Sequence, residues 1–281
     1  MKKFILFVLF LTFFAAQKSY SQDDTTDPAK YTAHNKGKMY LYWGGNRESF
    51  TKSDIRFKGA DYDFTLYNVE AHDKPKGWHI DYINPARMTI PQTNFRVGYF
   101  ISDHYNISIG VDHMKYVMAQ NRAVDFTGVY ANAGSYGEIL PNHQVLLTEE
   151  FLTFEHTDGL NYVNSEFARV DDISNLLKLP NTDKFQINIT EGVGAGVLYP
   201  KTNTKLLGKE RHDDFHISGF GISAKVGLTF TFFKHFFIQT ELKGGYINMN
   251  DIRTTKDSSD SASQEFFFLQ RIVAFGGIFK I

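Results

Sequence analysis

The strictest constraint on this chain is a period-two alternation that recurs in long runs. From Phe185 to Tyr199, one face of an extended strand carries Phe185, Ile187, Ile189, Val193, Ala195 and Val197, and the other carries Gln186, Asn188, Thr190, Gly192, Gly194 and Gly196. Between His216 and Phe232, Phe220, Ile222, Ala224, Val226, Leu228, Phe230 and Phe232 lie opposite Gly219, Gly221, Ser223, Lys225, Gly227, Thr229 and Thr231. From Tyr105 to Val117, Ile107, Ile109 and Val111 alternate with Asn106, Ser108, Gly110 and Asp112. Successive side chains of a strand point to opposite faces, so each run has one apolar and one polar face. A soluble sandwich also alternates, but it rarely sets glycine and charge so steadily on one face.

The amino terminus reads as an export signal. Lys2 and Lys3 precede the apolar run Phe4 to Ala16, and Ser19 and Ser21 are small residues before a cut at Gln22. The organisation expected is a signal peptide over 1–21, a flexible segment over 22–36 and a barrel over 37–281. The chain has no Cys, which excludes lipoprotein acylation, disulfides and cysteine-ligated metals. Loss of Lys2, Lys3 and Lys18 reduces 30 basic residues to 27 against 31 acidic ones, a formal charge of −4 and no footprint for nucleic acid. No later segment approaches the roughly 18 to 20 apolar residues of a membrane helix. A mature chain lodged in a membrane must then cross it as a closed barrel, which pairs every backbone group without helices.

Turn lengths set the topology, because bacterial barrels have short periplasmic turns and longer outer loops. The tight turns at Ser102 to His104 and at Lys234 with His235 are taken as periplasmic. Strands are then expected at 38–46, 91–102, 105–119, 160–171, 184–199, 212–233, 236–249 and 264–281, with a helical turn over 172–179 in a periplasmic link. Counting 61–71 and 148–157 as membrane strands gives ten, but these pieces break the up-down parity and read better as extracellular extensions. The outer loops at 47–90 and 120–159 are long, and those at 200–211 and 250–263 short. A 44-residue loop with Trp78, Tyr62, Tyr67 and Tyr82 is expected to fold as a β-rich cap. Tyr99, Tyr105, Tyr199, Phe233, Phe236 and Phe237 fit interfacial aromatic girdles.

Val273, Phe275, Gly277, Phe279 and Ile281 alternate to the last residue. This resembles the terminal-strand signal of outer-membrane barrels, with Ile in place of the usual terminal Phe. In pattern, the mature chain resembles the small eight-stranded outer-membrane barrels of the OmpA and OmpX type. The resemblance implies an all-β, antiparallel, up-and-down transmembrane barrel with two long extracellular loops, located in the bacterial outer membrane. It also implies contact with outer-membrane lipid and lipopolysaccharide and biogenesis through the barrel-assembly machinery. It implies no activity, since such barrels serve as anchors, adhesins and enzymes alike.

The alternation points Arg96, Asp112, Lys225, Glu241 and Lys243 into the lumen. An eight-stranded barrel has room there only for side chains, so these charges are expected to pair. The segment Phe154 to Tyr162 resembles, locally, the catalytic stretch of eight-stranded lipid A deacylases. His156 stands where the family has its histidine, and Glu166 near where an orienting acid falls. Position 158 is Asp where the resemblance needs serine, so Ser–His acyl transfer lacks its attacking atom. His212, Asp214 and His216 would share one face of a strand, a candidate divalent-metal site. The run Gly192 to Gly196 sits in a strand with no helix after it, so it is no phosphate loop; its glycines make room for lumen side chains or permit curvature. No cofactor is implied. The reading is a structural or surface-interaction barrel whose loops meet an external protein or glycan, against a lipid-modifying enzyme with His156 as base and a porin-like small-solute channel.

Overall fold

The computed structural model describes residues 34–75, 92–131, 133–137, 139–179, 182–212 and 214–280. The expected signal peptide and nearly all of the 22–36 segment lie outside them. In chain order the first strands are β1 (Lys38–Phe50), β2 (Ser53–Lys58), β3 (Tyr62–Val69), β4 (Ala71–His72), β5 (Thr93–Phe100), β6 (Tyr105–Met118), β7 (Ala123–Tyr130) and β8 (Gln144–Leu146), with a one-turn helix α1 (Ala133–Tyr136) before β8. They are followed by β9 (Leu152–Asp172), β10 (Phe185–Leu198), β11 (Asn203–Leu206), β12 (Lys209–His212), β13 (Gly219–Phe232), β14 (Phe236–Arg253) and β15 (Ser261–Lys280).

Eight of these close a ring. β1, β5, β6, β9, β10, β13, β14 and β15 pair antiparallel in that order, and β15 returns to β1 in unbroken register from Lys38↔Lys280 to Phe50↔Phe268. Eight strands, not ten, make the barrel. The ten-strand alternative fails because β3 pairs with β2 and β7 beyond the ring, and the piece from Leu152 onward is the far end of β9 itself. β9 therefore runs from 152 rather than the expected 160. β13 begins at Gly219 rather than 212, because residues 203–212 fold into their own hairpin, β11 with β12. Residues 174–178 form turns, not the expected helix.

The outward face is an exposed apolar belt. Trp43, Phe95, Ile107, Ile109, Phe167, Val193, Phe220, Val226, Ile238, Leu242, Val273 and Phe275 all face away from the lumen, Ile109 with 66 % and Phe275 with 57 % of its surface bare. A belt of this kind around a whole barrel is unfavourable in water and suits hydrocarbon. Tyr99, Tyr105, Tyr199, Phe233 and Phe236 are exposed at strand ends as a girdle requires. Phe237 is not, since its parity turns it inward, edge-on to Tyr42 at 6.4 Å.

At the end of the barrel opposite the tight turns, the chain builds a cap. β2 pairs with the top of β15, and the sheet continues through β3 and β7 to β8. The alternation of these strands buries Ile55, Phe57, Phe64, Leu66 and Phe126 against Phe151 and Phe154, with Phe64 ringed by aromatics at 5.3 to 5.9 Å. Burying each such side chain contributes roughly 1.5–3 kcal/mol, enough to order loops of this length. The same apolar cluster runs down into the barrel mouth through Met114, Tyr116, Tyr162, Ile247, Phe266 and Phe268. The cap is thus continuous with an apolar stopper in the barrel.

Candidate functional site

Below that stopper the lumen is polar, and its side chains are set by strand parity. Arg96 on β5 faces Gly110 on β6, where a Cβ would come within 2.9 Å of the guanidinium carbon. Gly194 on β10 likewise leaves space for Glu166 and Ser223, in line with the room-making role expected of that glycine run. Into this space three cations and three carboxylates converge. Arg96 lies 2.9 Å from Glu166 and 3.8 Å from Asp112. Lys243 meets Glu166 at 2.7 Å, Asp112 at 2.8 Å and Glu241 at 3.7 Å. Lys225 meets Glu166 at 2.6 Å and Glu241 at 2.9 Å. All six side chains are at most 4 % exposed.

Neutral groups add hydrogen bonds to Arg96, Asp112 and Glu241. Arg96 donates to Tyr42 Oη at 3.1 Å, Ser108 Oγ at 3.1 Å and Asn164 Oδ1 at 2.7 Å. Asn94 donates to Asp112 at 2.6 Å and Gln239 to Glu241 at 2.7 Å. Equal numbers of opposite charges in mutual contact, most of them hydrogen-bonded as well, are what a buried cluster needs to be tolerated. Beneath it, a cavity of about 40 Å³ opens toward the tight-turn end among Tyr40, Asn106, Lys225 and Gln239. That space holds a few waters, at about 10–15 Å³ of such volume per water. The five lumen residues picked out in the sequence are all here. Glu166 is the sixth and touches all three cations. The alternation of Tyr162, Asn164 and Glu166 on β9 carries the signal that places it here.

The catalytic candidates do not converge. His156 is wholly buried in the cap core rather than set at the surface, with its ring 4.9 Å from Phe154 and 5.5 Å from Tyr116. Its Nδ1 is 2.9 Å from Thr202 Oγ1, and burial pushes the imidazole down to about 3, so it is neutral at ordinary pH. Asp158 is on the outside, against Arg211 at 3.4 Å and Asn203 at 3.2 Å. Glu166 is in the lumen. Glu166 is ten residues along β9 from His156, and Asp158 is displaced by a bulge: between the pairs Met114↔Leu160 and Tyr116↔His156, β9 spends four residues against two on β6. Gly159, at φ +144°, makes that detour possible and throws Asp158 outward.

The metal candidates are not on one strand. β12 ends at His212, whose side chain lies outside the described ones, and Asp214 is exposed. His216 instead faces Asp251, Nε2 to Oδ2 2.8 Å. Among the described residues no group of three or more His, Asp or Glu gathers as a metal site.

The cap surface carries a cleft of about 390 Å³, missed in the sequence because its walls come from two separate loops. Lys52, Asn68 and Glu70 line one side and Asn121, Arg122 and Val124 the other. Glu70 is held by Lys52 at 2.7 Å and Arg122 at 3.4 Å, and these cations keep its carboxyl below the usual range. Its size falls within the range of small-ligand sites, about 300–1,000 Å³.

No protein-family model matches the chain, and no curated protein matches it in sequence. Among solved structures it is similar to Ail, the attachment invasion locus protein of Yersinia pestis, at 9% identity and TM-score 0.32, covering 87% of this chain and 99% of that one. It is similar to the outer membrane protein OprG from Pseudomonas aeruginosa at 10% identity and TM-score 0.37, covering 89% and 99%. Neisserial surface protein A is similar at 8% identity and TM-score 0.28, covering 84% and 98%. At such scores the eight-stranded barrel of this chain is established by its own strand pairing.

Proposed function

We propose that this chain is a bacterial outer-membrane barrel that works as a surface-interaction protein, with a sealed lumen below and a folded cap presented outside. The observation that carries this reading is the division of the interior. A neutralised charge cluster and an apolar stopper fill the barrel, while the long loops build a compact cap with its own core and an open cleft. The exposed apolar belt supports the membrane setting, and the tight turns at the opposite rim, where β1 starts and β15 finishes, support a periplasmic orientation for that rim. The cleft, edged by Lys52, Glu70 and Arg122, favours a polar external ligand such as a glycan or an acidic protein segment.

His156 has no path to lipid, which favours a binding role over lipid modification. The channel reading requires a lumen open from end to end, and the charge cluster with its stopper fills this one. The test joins two measurements. Lipid A from cells with and without the protein, and with His156→Ala, should give identical mass spectra. The purified protein in planar bilayers should give no conductance steps. An acyl chain lost only when His156 is present, or a clear unitary conductance, would overturn the reading.

A further inference from the structure

Two arginines stand side by side on the outward face of the barrel. Arg47 on β1 and Arg271 on β15 are direct cross-strand partners, and both are exposed. Directly opposed residues in an antiparallel pair have Cα atoms about 4.5–5.5 Å apart, and like charges so placed repel. Arg47 Nη1 donates to the Asn46 carbonyl at 2.8 Å, and Arg271 has no hydrogen bond or ion pair among the described residues. The belt's other outward cross-strand charges are arranged the opposite way: Arg169 is opposed to Glu191 and is bound to Asp171 at 2.6 Å. Among the described residues, nothing answers the electrostatic deficit of the arginine pair.

Height and surroundings say what could answer it. Arg271 is eight residues above Phe279, about 26 Å along the strand at ~3.3 Å per residue, or about 20 Å along the barrel axis at ~40° tilt. That is close to the upper, cap-side edge of an apolar band about 25 Å tall. Beneath the two guanidiniums lies an apolar ledge: Trp43 and Phe275 pack edge-on at 5.3 Å, Val273 is 60 % exposed, and Leu242 is the β14 partner of Arg271. Planar guanidiniums bind phosphate bidentately, and an apolar ledge directly below suits acyl chains.

We infer that Arg47 and Arg271 form a binding site for the phosphate of a lipid A-type glycolipid in the outer leaflet, with its chains lying over Trp43, Val273 and Phe275. The inference rests on the outer-membrane reading, since only a cap facing outward puts this pair in the outer leaflet. It deepens that reading by naming a lipid and the residues that hold it.

The experiment is native mass spectrometry of the full-length mature protein, reconstituted in phosphatidylcholine vesicles with and without lipid A and then released into detergent. Wild type should retain lipid A, Arg47→Gln/Arg271→Gln should retain at least tenfold less, and Arg56→Gln, a cap arginine paired with Asp63, should match wild type. Because the two arginines repel each other, the double substitution should insert normally. Should it fail to insert, Arg271→Lys serves in its place, with retention expected between those of wild type and Arg271→Gln. Equal retention by the variants would overturn the site. Equal retention of phosphatidylglycerol would overturn lipid A as the ligand, and competition by millimolar inorganic phosphate alone would overturn the role of the ledge. A wild-type protein that does not enter vesicles at all would overturn the membrane reading and the lipid site with it.

Discussion

Glu166→Gln is the substitution that should damage the barrel most for the fewest atoms changed. Glu166 is within 2.9 Å of Arg96, Lys225 and Lys243, so neutralising it leaves three buried cations facing two carboxylates. Removing one partner of a buried pair costs about 3–5 kcal/mol, chiefly because the remaining charge is left uncompensated. The glutamine keeps the volume and the hydrogen-bonding reach, so cavity formation contributes little. The assay is urea unfolding of the protein in phosphatidylcholine vesicles, followed by the fluorescence of Trp43, which faces out from the barrel. With a slope near 3 kcal/mol/M, a loss of about 4 kcal/mol lowers the midpoint by roughly 1.3 M. The decisive comparison is Glu166→Gln/Lys225→Met, which restores two cations against two carboxylates. Balanced apolar replacements of buried pairs are often neutral, so this double variant should recover to within about 2 kcal/mol of wild type. A single-variant loss below about 1 kcal/mol, or a double variant as weak as the sum of its singles, would refute the charge-balance argument.

Two further outcomes follow from particular residues. The folded-state pKa of His156 is depressed to about 3 from an ordinary 6.5, so the unfolded chain binds the extra proton between those values. Stability should be full above pH 6.5 and decline below it at up to about 1.4 kcal/mol per pH unit; His156→Gln should flatten the slope between pH 6.5 and 4.5, and an unchanged slope would show that the ring is not buried neutral. At Gly98 a Cβ would overlap the Tyr40 ring, so Gly98→Ala should cost about 1–3 kcal/mol by overpacking and Gly98→Ala/Tyr40→Phe no less, because the clash involves ring carbons as well as the hydroxyl. The same urea titration checks both, and a Gly98→Ala protein as stable as wild type would contradict that register.

Where the polypeptide is regular, its amino acids reveal the structure. Strict alternation identified the outward sets on β6, β10, β13 and β15 and turned Arg96, Asp112, Lys225, Glu241 and Lys243 inward, because a barrel strand has two environments and each side chain must choose one. Glu166 obeys the same rule, but a local likeness around His156 suggested a catalytic role for it that its place in the lumen, ten residues along β9 from His156, contradicts. The bulge at Gly159 was not legible: one glycine among polar residues gives no sign that β9 spends four residues where β6 spends two, and that detour separates His156 from Asp158. The cap was expected as a β-rich body, yet its pairing was hidden, because β2 meets β15 across some 200 residues and the β11–β12 hairpin carries too few apolar residues to show a period. The cleft and the arginine pair were invisible for the same reason, since both are made by residues distant in sequence.

A membrane barrel with its cap outside and its tight turns within can be tested directly, because the chain has no native cysteine. Single cysteines at exposed positions, Lys58→Cys in the cap and Asn175→Cys in the turn-end link, are treated in intact cells with a polyethylene-glycol maleimide too large to cross the outer membrane. The cap cysteine should be labelled in intact cells and the link cysteine only after the envelope is opened. Labelling of the link in intact cells with a protected cap, or equal labelling of both, would contradict it.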